Sequence, residues 1–371
     1  MENTRRILLA VTGLSPQIVT ETLYALACRK DSPWIPHEIH VITTVAGKDH
    51  AKLNLLREEG WFPRMCRDYH LPQIEFPAEN IHVVSDREGR PMDDIRTQED
   101  NAQAADFITE TVRKLTSATE SELHVSIAGG RKTMGYYLGY ALSLYGRPGD
   151  RLSHVLVSEP YEGNREFYYP TPYEFPIHTR RGDREVTVDA RNAVIDLADI
   201  PFVRLRDGLP ESLRAGKSTF TRVVDLANRG LEAPLLEIDV ENRKVRVDGE
   251  SVKLGGTEFA FLFWLAERTL SGNGLTEVST DEMAKEFLES CARSLGRMSS
   301  DFSRIEAKLD EHRNKPVKQA KYFETPKSRI NSGIEEVLGA VSAKRYQIAL
   351  FRENDWAYYH LPLEAAQIRI I

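Results

Sequence analysis

Along the first 160 residues, short apolar runs alternate with stretches whose apolar positions recur at helical spacing. The runs predict strands at 6–11, 38–43, 81–84, 123–128 and 152–157, and the helical stretches predict helices at 17–29, 48–59, 98–116 and 132–145. Thr97, followed three residues on by Asp100, has the pattern of a reciprocal helix cap. Strand and helix in alternation predict an α/β class, a Rossmann-like doubly wound parallel sheet with ligands at the carboxyl ends of its strands.

From 161 to 234 the pattern loosens. The stretch YEGNREFYYPTPYEFP reads as an extended connection, a short strand fits at 186–189, and helices fit at 190–199 and 218–229. NRGLEAP then reads as a linker. Beyond it the chain predicts two strands with turns at Glu241–Asn242 and Asp248–Gly249, a helix from Thr257, a capped helix in TPKSRINSGIEEVLG, and a hairpin in RYQIALFRENDWAYYHLPL. That order resembles a winged helix-turn-helix α+β domain of the response-regulator type, with an extra helical stretch at 297–313. The expected division is 1–175, a connecting segment at 176–235 with helices, and 236–371.

Two strand-to-helix junctions carry candidate chemistry. In HVSIAGGRKTMGYY the glycines Gly129 and Gly130 let backbone amides approach an anion, the helix start adds partial positive charge, and Arg131 and Lys132 add full charges. A nucleoside-triphosphate loop is rejected, because Arg131 separates Gly130 from Lys132 and the required earlier glycine is missing. In AVTGLSPQIVTETLYAL the residues Thr12, Gly13 and Ser15 are small and polar, and Pro16 suits a helix start. Read alone, Ser15 is an N-cap. In a doubly wound sheet, however, the first and fourth strands end along one crevice, where Ser15 and Gln17 would face Arg131 and Lys132. The expected pocket is polar, cationic and free of acids, and suits phosphodiesters.

The stretches TGLSPQIVTETLYAL, DDIRTQEDN, SIAGGRKTM and VLVSEPYE look like those of the CRISPR-associated Rossmann fold (CARF) sensors of type III immunity, in the ring nuclease branch. The resemblance covers about residues 5–175. It implies a symmetric homodimer whose joint cleft binds cyclic oligoadenylate, of tetra- or hexa-adenylate size, and several relatives cleave that ring. It further implies a metal-independent attack of a ribose 2′-hydroxyl, with Ser15, Lys132 and Arg131 as catalytic residues. Thr12, Gly13, Pro16, Gln17, Thr44, Asp94, Arg96, Gly129, Gly130, Thr133 and Met134 would bind the ligand, and no metal or other cofactor is expected. Asp94 and Arg96 read equally well as an ion pair beside the helix capped by Thr97. Asn101 is open to the same structural reading, and Gly47 and Lys48 end the second strand near Thr44.

Composition changes this picture only at the edges. A chain of 371 residues with 41% hydrophobic content can build two cored domains, and a net charge of −7 argues against non-specific nucleic-acid binding. Cys28, Cys66 and Cys291 form neither a disulfide framework nor a metal pair, and no apolar run suits a membrane span or a signal peptide, so the cytoplasm is the expected compartment. Between Arg313 and Asn331 six basic residues stand against Glu324 alone, so DNA binding through Lys327 and Arg329 stands beside a purely structural role for this domain. RMCRDYH has the Arg–His spacing of one ribonuclease motif but lies in the wrong region. Asp301, Glu306 and Lys308 fall in a helical pattern rather than on a nuclease hairpin.

Overall fold

The computed structural model describes residues 4–28, 33–181, 184–215, 219–229, 232–353 and 356–371. Gly230 and Leu231 of the expected linker, and Asn354 and Asp355 of the terminal hairpin's turn, lie outside them. The chain divides into two compact units, Met1–Arg206 with Lys217–Arg222, and Asp207–Gly216 with Val223–Ile371. Among the described residues no helix is long and apolar enough to cross a membrane.

In chain order the first unit contains β1 (Arg5–Val11), α1 (Gln17–Ala27), β2 (Glu38–Thr43), α2 (Val45–Ala51), α3 (Trp61–Asp68), β3 (Ile81–Val83), α4 (Gln98–Leu115), β4 (Ser121–Ser126), α5 (Lys132–Tyr145) and β5 (Arg151–Val157). β6 (Pro176–Arg181), β7 (Arg184–Asp189) and β8 (Ile195–Asp199) follow. The sheet order is β3-β2-β1-β4-β5-β8, parallel except for β8, which runs antiparallel to β5. Central strands of such a sheet are covered on both faces, which is why Ile7 to Val11 are apolar without alternation and all buried. Leu8 and Leu9, fully buried on opposite faces, each contribute about 2 kcal/mol of burial. Thr97 caps α4 reciprocally with Asp100, as its spacing predicts.

Three expectations for the middle of the chain change. Residues 190–199 form a short 3-10 turn (Ala190–Asn192) and then strand β8, not a helix. Their apolar residues mimic a helical period, but pairing with the open edge of β5 selects the extended form. The aromatic stretch is no loose connection: Phe167 and Tyr169 are buried, and Tyr168 stacks on Trp61 of the unanticipated α3 at 4.6 Å. Residues 176–206 therefore belong to the first unit rather than to a connecting segment.

The remaining elements are α6 (Glu211–Ala215), α7 (Phe220–Arg229), β9 (Leu236–Asp239), β10 (Lys244–Val247), β11 (Glu250–Val252), α8 (Gly256–Leu270), β12 (Leu275–Glu277), α9 (Asp281–Leu295), α10 (Ser300–Glu311), α11 (Pro316–Tyr322), α12 (Glu324–Ala343), β13 (Ala349–Glu353), β14 (Trp356–His360) and β15 (Ile368–Ile370). One small sheet runs β11-β10-β9-β15 and the other β12-β14-β13. An aromatic core of Phe261, Trp264, Phe287, Phe323 and Tyr359 joins the helices to the second sheet. α12 follows α11 directly from Phe323 without a side-chain cap, rather than starting at a capping threonine. Asp301, Glu306 and Lys308 all lie on α10, so they form no nuclease hairpin.

Candidate functional site

The order β2-β1-β4 places the switch point of the sheet between β1 and β4, and both glycine loops leave the sheet there. The amide of Thr12 donates to the Ile42 carbonyl at 3.0 Å, and its own carbonyl accepts from Thr43 Oγ1 at 2.9 Å, which fixes the first loop to β2. The loops then touch: a methyl on Gly13 would lie 3.7 Å from the Gly130 Cα. Gly130 has φ +73°, a conformation that costs an L-residue about 1 kcal/mol. Gly130→Ala is therefore expected to destabilise the first unit by about 1 kcal/mol in urea unfolding. Unchanged stability would show that the loop holds no such constraint.

A cavity of about 940 Å³ opens at this point. Its walls are Thr12, Gly13 and Leu14 from the first loop, Thr44 and Ala46 from the start of α2, and Gly130, Arg131 and Met134 from the second loop. The segment before α4 completes it with Met92, Asp93, Asp94, Arg96 and Asp100. Thr12 Oγ1 is buried there without a hydrogen-bond partner among the described residues.

The crevice is not free of acids. Asp94 accepts from Arg131 Nε at 2.8 Å and from its terminal nitrogen at 2.6 Å, and from Arg96 Nε at 2.9 Å. Arg131, then Arg96, hold the Asp94 carboxyl well below the usual carboxylate range. The backbone amides of Arg96 and Thr97 lower Asp100 in the same way. Arg131 is thus oriented and partly neutralised before any ligand arrives. Attraction for a polyanion is weaker than two free guanidinium groups would give.

The crevice brings together Thr12, Gly13, Thr44, Asp94, Arg96, Gly130, Arg131 and Met134. Ser15, Pro16, Gln17, Gly129, Lys132 and Thr133 lie off its lining. Ser15 is exposed and does not cap α1, whose N-cap is Pro16. Gln17 turns away, donating to the Arg165 carbonyl at 3.4 Å. Gly129 is a packing position, where a methyl would meet the Val11 carbonyl oxygen at 2.6 Å. Lys132 and Thr133 are exposed in the first turn of α5, and Lys132 has no ion-pair partner among the described residues. Thr44 caps α2 through a 3.4 Å bond from the Gly47 amide. Asn101 donates to the Tyr137 hydroxyl and ties α4 to α5. In the second unit Arg329 pairs with the buried Glu258 at 2.9 Å, and Lys327 is half-buried.

Sequence reading missed Met92 and Asp93. The amide of Val45 donates to the Met92 carbonyl at 3.0 Å, and that of Met92 to the Val84 carbonyl at 2.9 Å, so long-range bonds swing this segment into the wall. The paired acids DD ahead of the Thr97 cap were the only local signal.

A doubly wound sheet with a polar crevice at its switch point is a Rossmann-like fold. The family model described as CRISPR-associated protein NE0113 matches residues 15–229, and the chain belongs to that family. No curated protein matches it. Among solved structures it is similar to Enterococcus italicus Csm6 bound to cyclic hexa-2′-fluoro-hexa-dAMP, at 12% identity and a TM-score of 0.26, over 96% of this chain and 74% of that one.

Proposed function

We propose that the first unit is a CARF module of type III CRISPR immunity that binds cyclic oligoadenylate in the joint cleft of a homodimer and opens the ring. Membership of a CRISPR-associated family supports the setting. The observation that carries the reading is the meeting of two glycine loops at the switch point, beside a guanidinium held in place by Asp94. A two-fold dimer meets a ring of repeated phosphates with two copies of the same loops.

In this reading the ribose 2′-hydroxyl attacks the adjacent phosphorus in line. The bond from phosphorus to the 5′-oxygen breaks, and that oxygen takes up a proton. The products are linear adenylates with 2′,3′-cyclic phosphate and 5′-hydroxyl ends. No step requires a metal; the protein's part is to align the attack and stabilise charge on the phosphoryl oxygens. Arg131 holds a phosphate from the crevice wall, Lys132 meets the growing charge from the rim, and Ser15 orients the ribose or phosphate. No histidine lines the cavity among the described residues, so proton transfer falls to no named side chain and the rate is modest.

A second reading is a regulator that binds the ring without cutting it and acts on DNA through a winged helix. It is favoured by β12 pairing with β14 of the hairpin that follows α12, the strand layout of that domain. Incubation of the purified protein with cyclic tetra- and hexa-adenylate in EDTA separates the two. Linear products with cyclic phosphate ends are expected. Tight binding without products would leave the regulator, and cleavage wholly dependent on added magnesium would overturn the mechanism.

A further inference from the structure

A separate cavity of about 850 Å³ lies within the second unit, between the start of α8 and helices α10, α11 and α12. Five cations line it, Arg304, Lys308, Lys318, Lys321 and Arg329, against the two carboxylates Glu258 and Glu311. Three of the five are held: Arg304 by Asp301 at 2.5 Å, Lys308 by Glu311 at 2.7 Å, and Arg329 by Glu258 at 2.9 Å. Lys318 and Lys321, both exposed on α11, have no acid partner among the described residues. The start of α8 adds nothing to their pull, because the Asp301 carboxylate already covers it: a methyl on Gly256 would lie 2.2 Å from Asp301 Oδ2.

Two aromatic rings and a proline line the same cavity. The His312 and Tyr322 rings meet edge to face at 6.3 Å, and Pro326 continues the surface. Burial lowers the His312 imidazole from its ordinary pKa, which favours a neutral ring. A recess of this size, with an aromatic corner and unpaired cations, has the make-up of a site for a small ligand. A DNA duplex is recognised by helices that project into its grooves, not by a hollow between them.

We propose that this cavity binds a nucleotide, with its phosphates held by Lys318 and Lys321 and its base against the His312–Tyr322 corner. The inference stands on the second unit alone and does not rest on ring cleavage by the first. Isothermal titration of the full chain with AMP, ATP, inorganic phosphate and a short DNA duplex tests it. AMP or ATP is expected to bind with a Kd below about 100 µM. The double variant Lys318→Ala with Lys321→Ala is expected to weaken that binding at least about tenfold, while the arginine pair at the same positions retains it. The alanine variant should keep the wild-type circular dichroism spectrum and urea unfolding transition, which shows that the second unit is folded. The proposal is overturned by absence of saturable nucleotide binding, by binding that the alanine pair leaves unchanged, by phosphate binding as tightly as AMP, or by binding of the duplex alone.

Discussion

Lys132→Ala is expected to slow opening of cyclic tetra- or hexa-adenylate at least about tenfold in single-turnover assays, a rise of about 1.4 kcal/mol in the barrier. The two cations at the start of α5 are not equivalent. Arg131 is engaged by Asp94 through Nε and one terminal nitrogen, so much of its charge is answered before any anion arrives. Lys132 is exposed and has no ion-pair partner among the described residues, so under the proposed mechanism it would answer charge that appears only in the transition state. Ser15→Ala is expected to slow the same step by about tenfold as well, with the smaller of the two effects, since a hydroxyl aligns the reactants but supplies no charge. Ring binding should change less than the rate in both variants. Wild-type single-turnover rates would remove Lys132 and Ser15 from the mechanism.

Stability of the first unit is expected to fall as pH rises from about 5 to about 8, and Glu21→Gln should abolish most of that fall. Glu21 lies on α1 at 7% exposure, and burial, reinforced by the Glu162 carboxylate, raises its pKa to about 8. The folded chain therefore holds a proton there that the unfolded chain has lost above the ordinary glutamic-acid range. Protons bound by the folded state alone make folding weaker as pH increases, and the dependence ends once pH passes the folded pKa. Each pKa unit corresponds to about 1.4 kcal/mol, so the neutral amide should gain about 2 kcal/mol or more at pH 8 and little at pH 5. Urea unfolding of both proteins at the two pH values measures it. Equal pH slopes in wild type and variant would show that Glu21 does not carry the effect.

What the sequence determined was local. The strand and helix alternation, the Thr97–Asp100 cap and the two glycine loops all follow from runs, periods and spacings of a few residues. The placing of both loops in one crevice also followed, because a doubly wound sheet sets its first and fourth strands side by side. Tertiary structure decided the rest. β8 is a strand because β5 offers an unpaired edge, which outweighs the helical spacing of residues 190–199. Tyr168 and Tyr169 are buried because α3 brings Trp61 to them across the chain. Above all, the sequence pointed to Asp94 but not to its partner: Asp94 and Arg131 are 37 residues apart, and only backbone bonds that draw Met92 between Val84 and Val45 bring that carboxylate to the guanidinium. A charge read along the chain counts as free; folded, its strength depends on the partner that distant bonds deliver.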